Sequence, residues 1–257
     1  MTNKVLDSFL SGQKTIGTFM NFGSPTVAEV LGIAGLDYFI VDTEHSPFGL
    51  DETLQCVRSA QIYGITPFAR ISHINRGNIL KMLDIGVQGL IVPGIRHMEE
   101  IDRLIELGKY TPLGNRGFCP TRCCTYGYGS EFSQGIKAYT EECNRRTMLI
   151  PQCETVECLE MIEDVVNRDG VDGIFIGPFD LSLDMGIPAQ FEDERFKAAV
   201  ERILKACKAA HKWSCIFAPD LSSAQLRLEQ GFDSITYTAD MNRLTDAFAS
   251  DMKILRQ

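Results

Sequence analysis

Residues 37–72 read DYFIVDTEHSPFGLDETLQCVRSAQIYGITPFARIS. An apolar run, DYFIVDTE, gives way to LDETLQCVRSAQIYG, whose apolar residues recur at three- and four-residue spacing, and then to a second apolar run, TPFARIS. This is a strand, a helix and a strand. Continuous apolar strands joined by a helical crossover imply a parallel sheet covered by helices. The same alternation extends outward. TIGTFMNF precedes this unit, and GLIVPGI, TMLIPQCE, DGIFIGP, WSCIFAP and DSITYTA follow it, making eight strands. Between them lie TVAEVLGIAG, NRGNILKMLDIG, MEEIDRLIELGKY, TVECLEMIEDVVNR, ERFKAAVERILKACKAAHK and SSAQLRLEQG, with NRLTDAFASDMKILR at the end. Eight units in 257 residues predict an α/β fold, a closed (β/α)₈ TIM barrel forming a single domain over 1–257. A doubly wound open sheet would be favoured by a Gly-rich phosphate turn after the first strand, and there is none.

Residues 111–146 exceed a minimal barrel. They contain GNRGFCPTRCCTYGYGSEF, rich in Gly, aromatic and polar residues, followed by material for an extra helix. Long inserts of this kind are functional lids or disordered, and the aromatics favour a lid over one barrel mouth. Pro93, Pro151, Pro178 and Pro219 each follow an apolar run, where a missing N–H helps end strand pairing, and so mark C-terminal strand ends.

Composition narrows the function. A formal charge of -9 without a Lys/Arg run argues against a nucleic-acid partner, while a locally positive site for a small anion stays possible. The N-terminus lacks an uninterrupted apolar core, and no segment approaches the ~18 apolar residues of a membrane span. The expectation is a cytoplasmic protein. Nine cysteines, none spaced C-x-x-C, fit a reducing compartment; most lie in apolar periodic segments as small hydrophobes, and the CPTRCC cluster lacks a second half for a metal site.

In (β/α)₈ enzymes the C-terminal strand ends converge on one chemical face. Strand two delivers Asp42, Glu44 and His45, strand three Arg70, strand five Gln152 and Glu154, and strand six Asp180. Carboxylates from adjacent strands with room for waters suit a hard octahedral cation such as Mg²⁺ or Mn²⁺. Arg70 would serve an anion or pair with Asp42; His45, after two acids, reads as a base; Asp42 and Glu44 read as supporting residues. Each has a plainer reading too. Asp180 could cap the following helix, Glu154 could be a helix-start carboxylate, and His45 could pack against backbone.

VDTEHSP, FARIS, KMLDIGVQGLIVP, GNRGF, PQCETVE and VDGIFIGPFDLSLDMG together resemble the HpcH/HpaI aldolases, metal-dependent class II pyruvate aldolases, over about residues 15–240. The resemblance implies a carbon–carbon lyase acting on a 2-oxo acid and an aldehyde through a pyruvate enolate. It implies that Glu154 and Asp180 hold a divalent ion (Mg²⁺, Mn²⁺ or Co²⁺), that Arg70 stabilises the enolate, and that His45 is the base, made more basic by Asp84. Gln152 and the backbone at Phe179 and Asp180 would bind the 2-oxo acid. It further implies a homo-hexamer, a trimer of dimers, with the last helix, about residues 242–256, exchanged between neighbours. Phe179 stands where relatives commonly carry alanine; its ring either packs behind the pocket or fills it, and a filled pocket implies short aldehydes such as glycolaldehyde, or decarboxylation. The rival activities are decarboxylation of oxaloacetate or a similar 2-oxo diacid at the same site, and, in another class, a non-catalytic ligand-binding barrel.

Overall fold

The apolar runs become strands whose side chains alternate between two cores. In the computed structural model, which describes residues 3–257, the strands are β1 Thr15–Met20, β2 Tyr38–Asp42, β3 Thr66–Arg70, β4 Gly89–Val92, β5 Met148–Cys153, β6 Gly173–Ile176, β7 Trp213–Ala218 and β8 Ser234–Ala239. They are parallel and close in sequence order into a barrel, β8 pairing with β1. Period-two alternation sends Tyr38, Ile40, Phe68, Met148, Ile150 and Phe175 into the barrel, and Phe39, Val41, Ala69, Leu149, Ile174 and Ile176 outward against the helices.

The helices are α1 Lys4–Leu10, α2 Pro25–Ile33, α3 Leu50–Tyr63, α4 Arg76–Asp84, α5 Met98–Gly108, α6 Gly135–Arg146, α7 Val156–Glu160, α8 Ile162–Val166, α9 Pro178–Asp184, α10 Glu194–Ala209, α11 Leu221–Gln230 and α12 Asp240–Leu255. The single helix expected from TVECLEMIEDVVNR is two short ones, broken at Met161. Pro151 differs from expectation as well. It lies inside β5, opposite Val92 of β4, and the strand continues two residues further before the chain turns.

The barrel floor is filled by aromatic rings. Tyr38, Phe68 and Trp213 have centroids 5.4–6.3 Å apart, and small residues make room for them: a β-carbon on Gly17 would lie 2.3 Å from the Tyr38 ring. Below them, Val5, Leu6 and Phe9 of α1 pack against the same inner core.

The insert at residues 111–146 is ordered around its own small core, Tyr110, Cys124, Tyr139 and Cys143 packed with Phe118 and Phe132. Its position corrects the expected lid. It follows α5, which returns the chain from the C-terminal to the N-terminal end of the barrel, so it lies against the floor end and not over the mouth of its own chain. Arg122 accordingly bonds Gln61 at the end of α3 (2.6 Å) and the Ile85 carbonyl after α4 (3.0 Å).

The last helix begins at Asp240 and leaves the barrel wall. Beyond Asp240 its residues are almost all exposed, including Leu244, Phe248, Ile254 and Leu255. An apolar groove of about 480 Å³ lies between its first turns and α2, lined by Val27, Val30, Leu31 and Tyr237 among others. Among the described residues no helix is long and apolar enough to cross a membrane.

Candidate active site

Asp42 ends β2 and organises the turn that follows. Its Oδ1 accepts from the backbone N–H groups of Glu44 (3.1 Å) and His45 (3.3 Å). Arg70, its register partner at the end of β3, donates from Nε to Asp42 Oδ1 (2.9 Å) and from Nη2 to Asp42 Oδ2 (2.7 Å). Burial alone would raise the Asp42 pKa, but these bonds, the Arg70 charge and the two backbone donors outweigh it and leave the pKa below its ordinary value. The cation that buried acids require is therefore Arg70. Glu44 approaches the same guanidinium (3.3 Å to Nε) and also His45 Nε2 (3.6 Å), whose ring is largely exposed at the mouth. Phe19 of β1 stacks under Arg70, 4.6 Å from guanidinium carbon to ring centre. The arginine is held on one face and two edges, and Nη1 is left as the donor that Asp42 does not engage.

On the opposite wall, β5 turns Gln152 and Glu154 inward by the same alternation that buries Met148 and Ile150. Glu154 is nearly buried (7% exposed); its Oε1 accepts from the backbone N–H of Gly94 (2.7 Å) after β4, and its Oε2 is met by the amide of Gln152. Burial pushes its pKa up, the Gly94 and Gln152 contacts oppose this, and the charges of Asp180 and Glu44 add to the rise, to about 7. Asp180 is exposed in the first turn of α9 and faces the same cavity as Glu154. Gly177 between them is required for close approach, since a β-carbon there would lie 2.8 Å from Glu154 Oε2.

These residues fit a hard divalent cation. Two carboxylates share one cavity, burial with a smaller contribution from the Asp180 charge raises the Glu154 pKa, and the buried Oε1 of Gln152 has no hydrogen-bond partner. Oxygen donors with space for water are the Mg²⁺ or Mn²⁺ pattern. Among the described residues no group of three or more His, Cys, Asp or Glu converges on one point. The cysteines take no part; all nine thiols are free and eight are buried.

Two adjoining cavities of about 300 and 430 Å³ form the mouth. One is lined by Asp42, His45, Arg70, Gln152, Phe179 and Asp180, and the other by Glu44, His45, Glu154 and Asp180. The strand-end residues singled out in the sequence therefore meet at one place. Asp84 does not. It ends α4, which runs from the mouth back to the floor, and it pairs there with Arg116 of the insert (2.9 Å). Within its own chain Asp84 therefore does not meet His45.

Sequence reading missed Phe19, Asn21, Phe217, Met241 and Asn242, all on the mouth cavity. They follow or end β1, β7 and β8, so the strand-end rule reaches them too. Apart from Gln152, it was applied only to ionisable residues.

Residues 15–247 match the family model described as HpcH/HpaI aldolase/citrate lyase. A hydroxypyruvate/pyruvate aldolase from Sagittula stellata is 36% identical over 77% of this chain and 76% of its own. A 2-keto-3-deoxy-L-rhamnonate aldolase from Klebsiella pneumoniae is 28% identical over 98% of this chain and 95% of its own. The crystal structure of an HpcH/HpaI aldolase from Desulfitobacterium hafniense superimposes with a TM-score of 0.91 at 27% identity, covering 98% of this chain and 96% of that one.

Proposed function

The chain belongs to the HpcH/HpaI aldolase/citrate lyase family, and from that premise we propose that its barrel mouth makes and breaks the bond between C3 of pyruvate and an aldehyde carbonyl carbon. It is a carbon–carbon lyase of the aldolase type. The observation that carries the site assignment is Glu154 and Asp180 facing, across one mouth, an arginine anchored by Asp42 with Nη1 left over.

A divalent cation held by Glu154 and Asp180 would polarise the carbonyl of the 2-oxo acid and take up developing negative charge. The chain's own groups do the rest. Gln152 and the backbone N–H groups of Phe179 and Asp180, free of intrahelical acceptors in the first turn of α9, hold the carboxylate of the acid. In cleavage His45 takes the proton of the 4-hydroxyl, the C3–C4 electron pair moves toward the 2-oxo oxygen, and Arg70 meets the charge there. Return of a proton to C3 gives pyruvate. Among the described residues no lysine lines either mouth cavity to serve as an imine nucleophile.

Incubation with pyruvate, glycolaldehyde and Mg²⁺ is expected to yield a 4-hydroxy-2-oxo acid, and chelator-treated protein to lose turnover until the ion is restored. Full turnover after chelation would refute the metal assignment, and CO₂ released from oxaloacetate without any aldol product would favour decarboxylation. Cation binding needs the Glu154 carboxylate, so affinity should fall as pH drops through about 7, with proton release on binding measurable by calorimetry in buffers of different ionisation enthalpy. A pH-independent affinity between 6 and 8 would contradict this.

The proposed assembly is a homo-hexamer, a trimer of dimers, of cytoplasmic single-domain chains with α12 exchanged between neighbours. The unpartnered apolar row on α12, Leu244, Phe248 and Leu255, supports it, because a helix with so much exposed apolar surface has no partner in its own chain. Phe248→Asp is expected to break the assembly into smaller species by light scattering while circular dichroism stays unchanged; an intact hexamer would rule out exchange through this face.

A further inference from the structure

The mouth cavity has one wall that none of the steps above uses. Phe175, Phe19, Phe217, Phe179 and Phe191 form a continuous file of rings, successive centroids 5.8, 6.0, 6.1 and 5.1 Å apart. Phe179 stands at its rim, 41% exposed, and is held edge-on between Phe191 and Phe217. The ring both faces the cavity and packs, so its orientation is fixed.

Charge at this wall is one-sided. Among the described residues the only Arg or Lys lining the cavity is Arg70, already bound to Asp42 and approached by Glu44. Arg96, on the adjoining cavity, is taken up by Glu157 (2.5 Å) and Asp184 (2.9 Å). An anionic tail placed here would leave water for aromatic rings and fixed carboxylates, with no free cation to replace its hydration. The uncommitted groups near the wall are neutral. Asn21 donates to Ser46 (2.6 Å) and keeps its Oδ1, and Asn242, at the start of α12, makes no side-chain bond.

We propose that the second substrate is a short uncharged aldehyde, its carbon chain lying along the Phe217–Phe179 wall and any hydroxyl facing Asn21 and Asn242, and that aldehydes ending in a carboxylate are rejected. This rests on the aldolase reading above. The reaction balances without a further reagent: C3 of pyruvate loses a proton, the new bond joins C3 to the aldehyde carbon, and the carbonyl oxygen gains a proton.

The test uses the full-length enzyme with Mg²⁺ and pyruvate, and compares butanal with succinic semialdehyde, acceptors of equal carbon number. The neutral member is expected to have the higher kcat/KM by about tenfold or more. Equal or better use of the anion overturns the proposal. Asn242→Arg, at an exposed helix start, and separately Met241→Arg, place a cation at the rim. Each is expected to raise the anion-to-neutral ratio by about tenfold, and an unchanged ratio in both means that the acceptor does not pass this wall. Exchange of the pyruvate methyl protons in D₂O, followed by NMR, needs no aldehyde. Its absence defeats the aldolase reading itself, whereas exchange together with a preference for the anion defeats only the acceptor assignment.

Discussion

Arg70→Ala is expected to lower kcat by ~10²–10³, the range typical of removing a preorganised donor from a developing oxyanion, while the affinity for Mg²⁺ changes little. The arginine does not contact the carboxylates assigned to the ion, and its interaction grows as negative charge arrives on the substrate oxygen. A complication follows from its second role. Asp42 is 2% exposed, and deleting its partner leaves a buried charge, a change that typically costs ~3–5 kcal/mol. Without Arg70, burial of Asp42 is opposed only by the backbone N–H groups of Glu44 and His45, so its pKa rises from the depressed native value and the stability which that depression contributes above the unfolded pKa is lost. The stability loss of the variant should therefore be larger at neutral pH than in mild acid. The double variant Arg70→Ala/Asp42→Asn removes the charge conflict. Its thermal midpoint should recover while its kcat stays low; recovery of both would show that Arg70 matters only as a structural partner of Asp42. Arg70→Lys keeps the charge without the fork and should fall between.

The second large effect concerns His45 and Asp84 together. His45→Ala is expected to reduce cleavage of a 4-hydroxy-2-oxo acid by ~10²–10⁴, the usual contribution of a positioned base. Asp84 lies at the floor end of its own chain, paired with Arg116, so any action on a histidine must fall on the mouth of a neighbouring copy in the proposed hexamer. Asp84→Ala should then also lose activity, with little change in KM for the 2-oxo acid. Subunits carrying either change, unfolded together and reassembled, should regain activity, because some mouths then combine an intact His45 with an intact Asp84 from next door. Mixed assemblies no more active than the average of their parents would confine Asp84 to its pairing with Arg116.

The barrel was legible because every strand is an apolar run bounded by helical periodicity, and alternation along β2 and β5 is enough to decide which of Asp42, Gln152 and Glu154 face inward. The convergence of Arg70 with Asp42 was legible too, as adjacent strand ends in register. What failed were judgements of face. The insert at residues 111–146 looks like a lid by composition, yet its place after a returning helix puts it at the floor, and the same count of elements puts Asp84 there. Pro151 misled because a residue without an N–H need not end a strand, and β5 continues past it. Of the aromatic wall only Phe179 was expected at the pocket, because phenylalanines within apolar strands read as core; only the closed geometry shows that Phe19 and Phe217 border the same open space.

The plugged floor has a kinetic consequence. Tyr38, Phe68 and Trp213, backed by Val5, Leu6 and Phe9 of α1, make the barrel a blind pocket with a single entrance. In the proposed reaction the 2-oxo acid would seat at Gln152 and Arg70, beneath the rim formed by Phe179, Met241 and Asn242 where the acceptor would rest. Traffic must then be sequential: pyruvate first in and last out, the aldehyde last in and first out. In the cleavage direction pyruvate should act as a competitive product inhibitor against the aldol, and the aldehyde as a noncompetitive one. An enzyme that released its products in random order would need a second exit, and the ring-filled floor provides none.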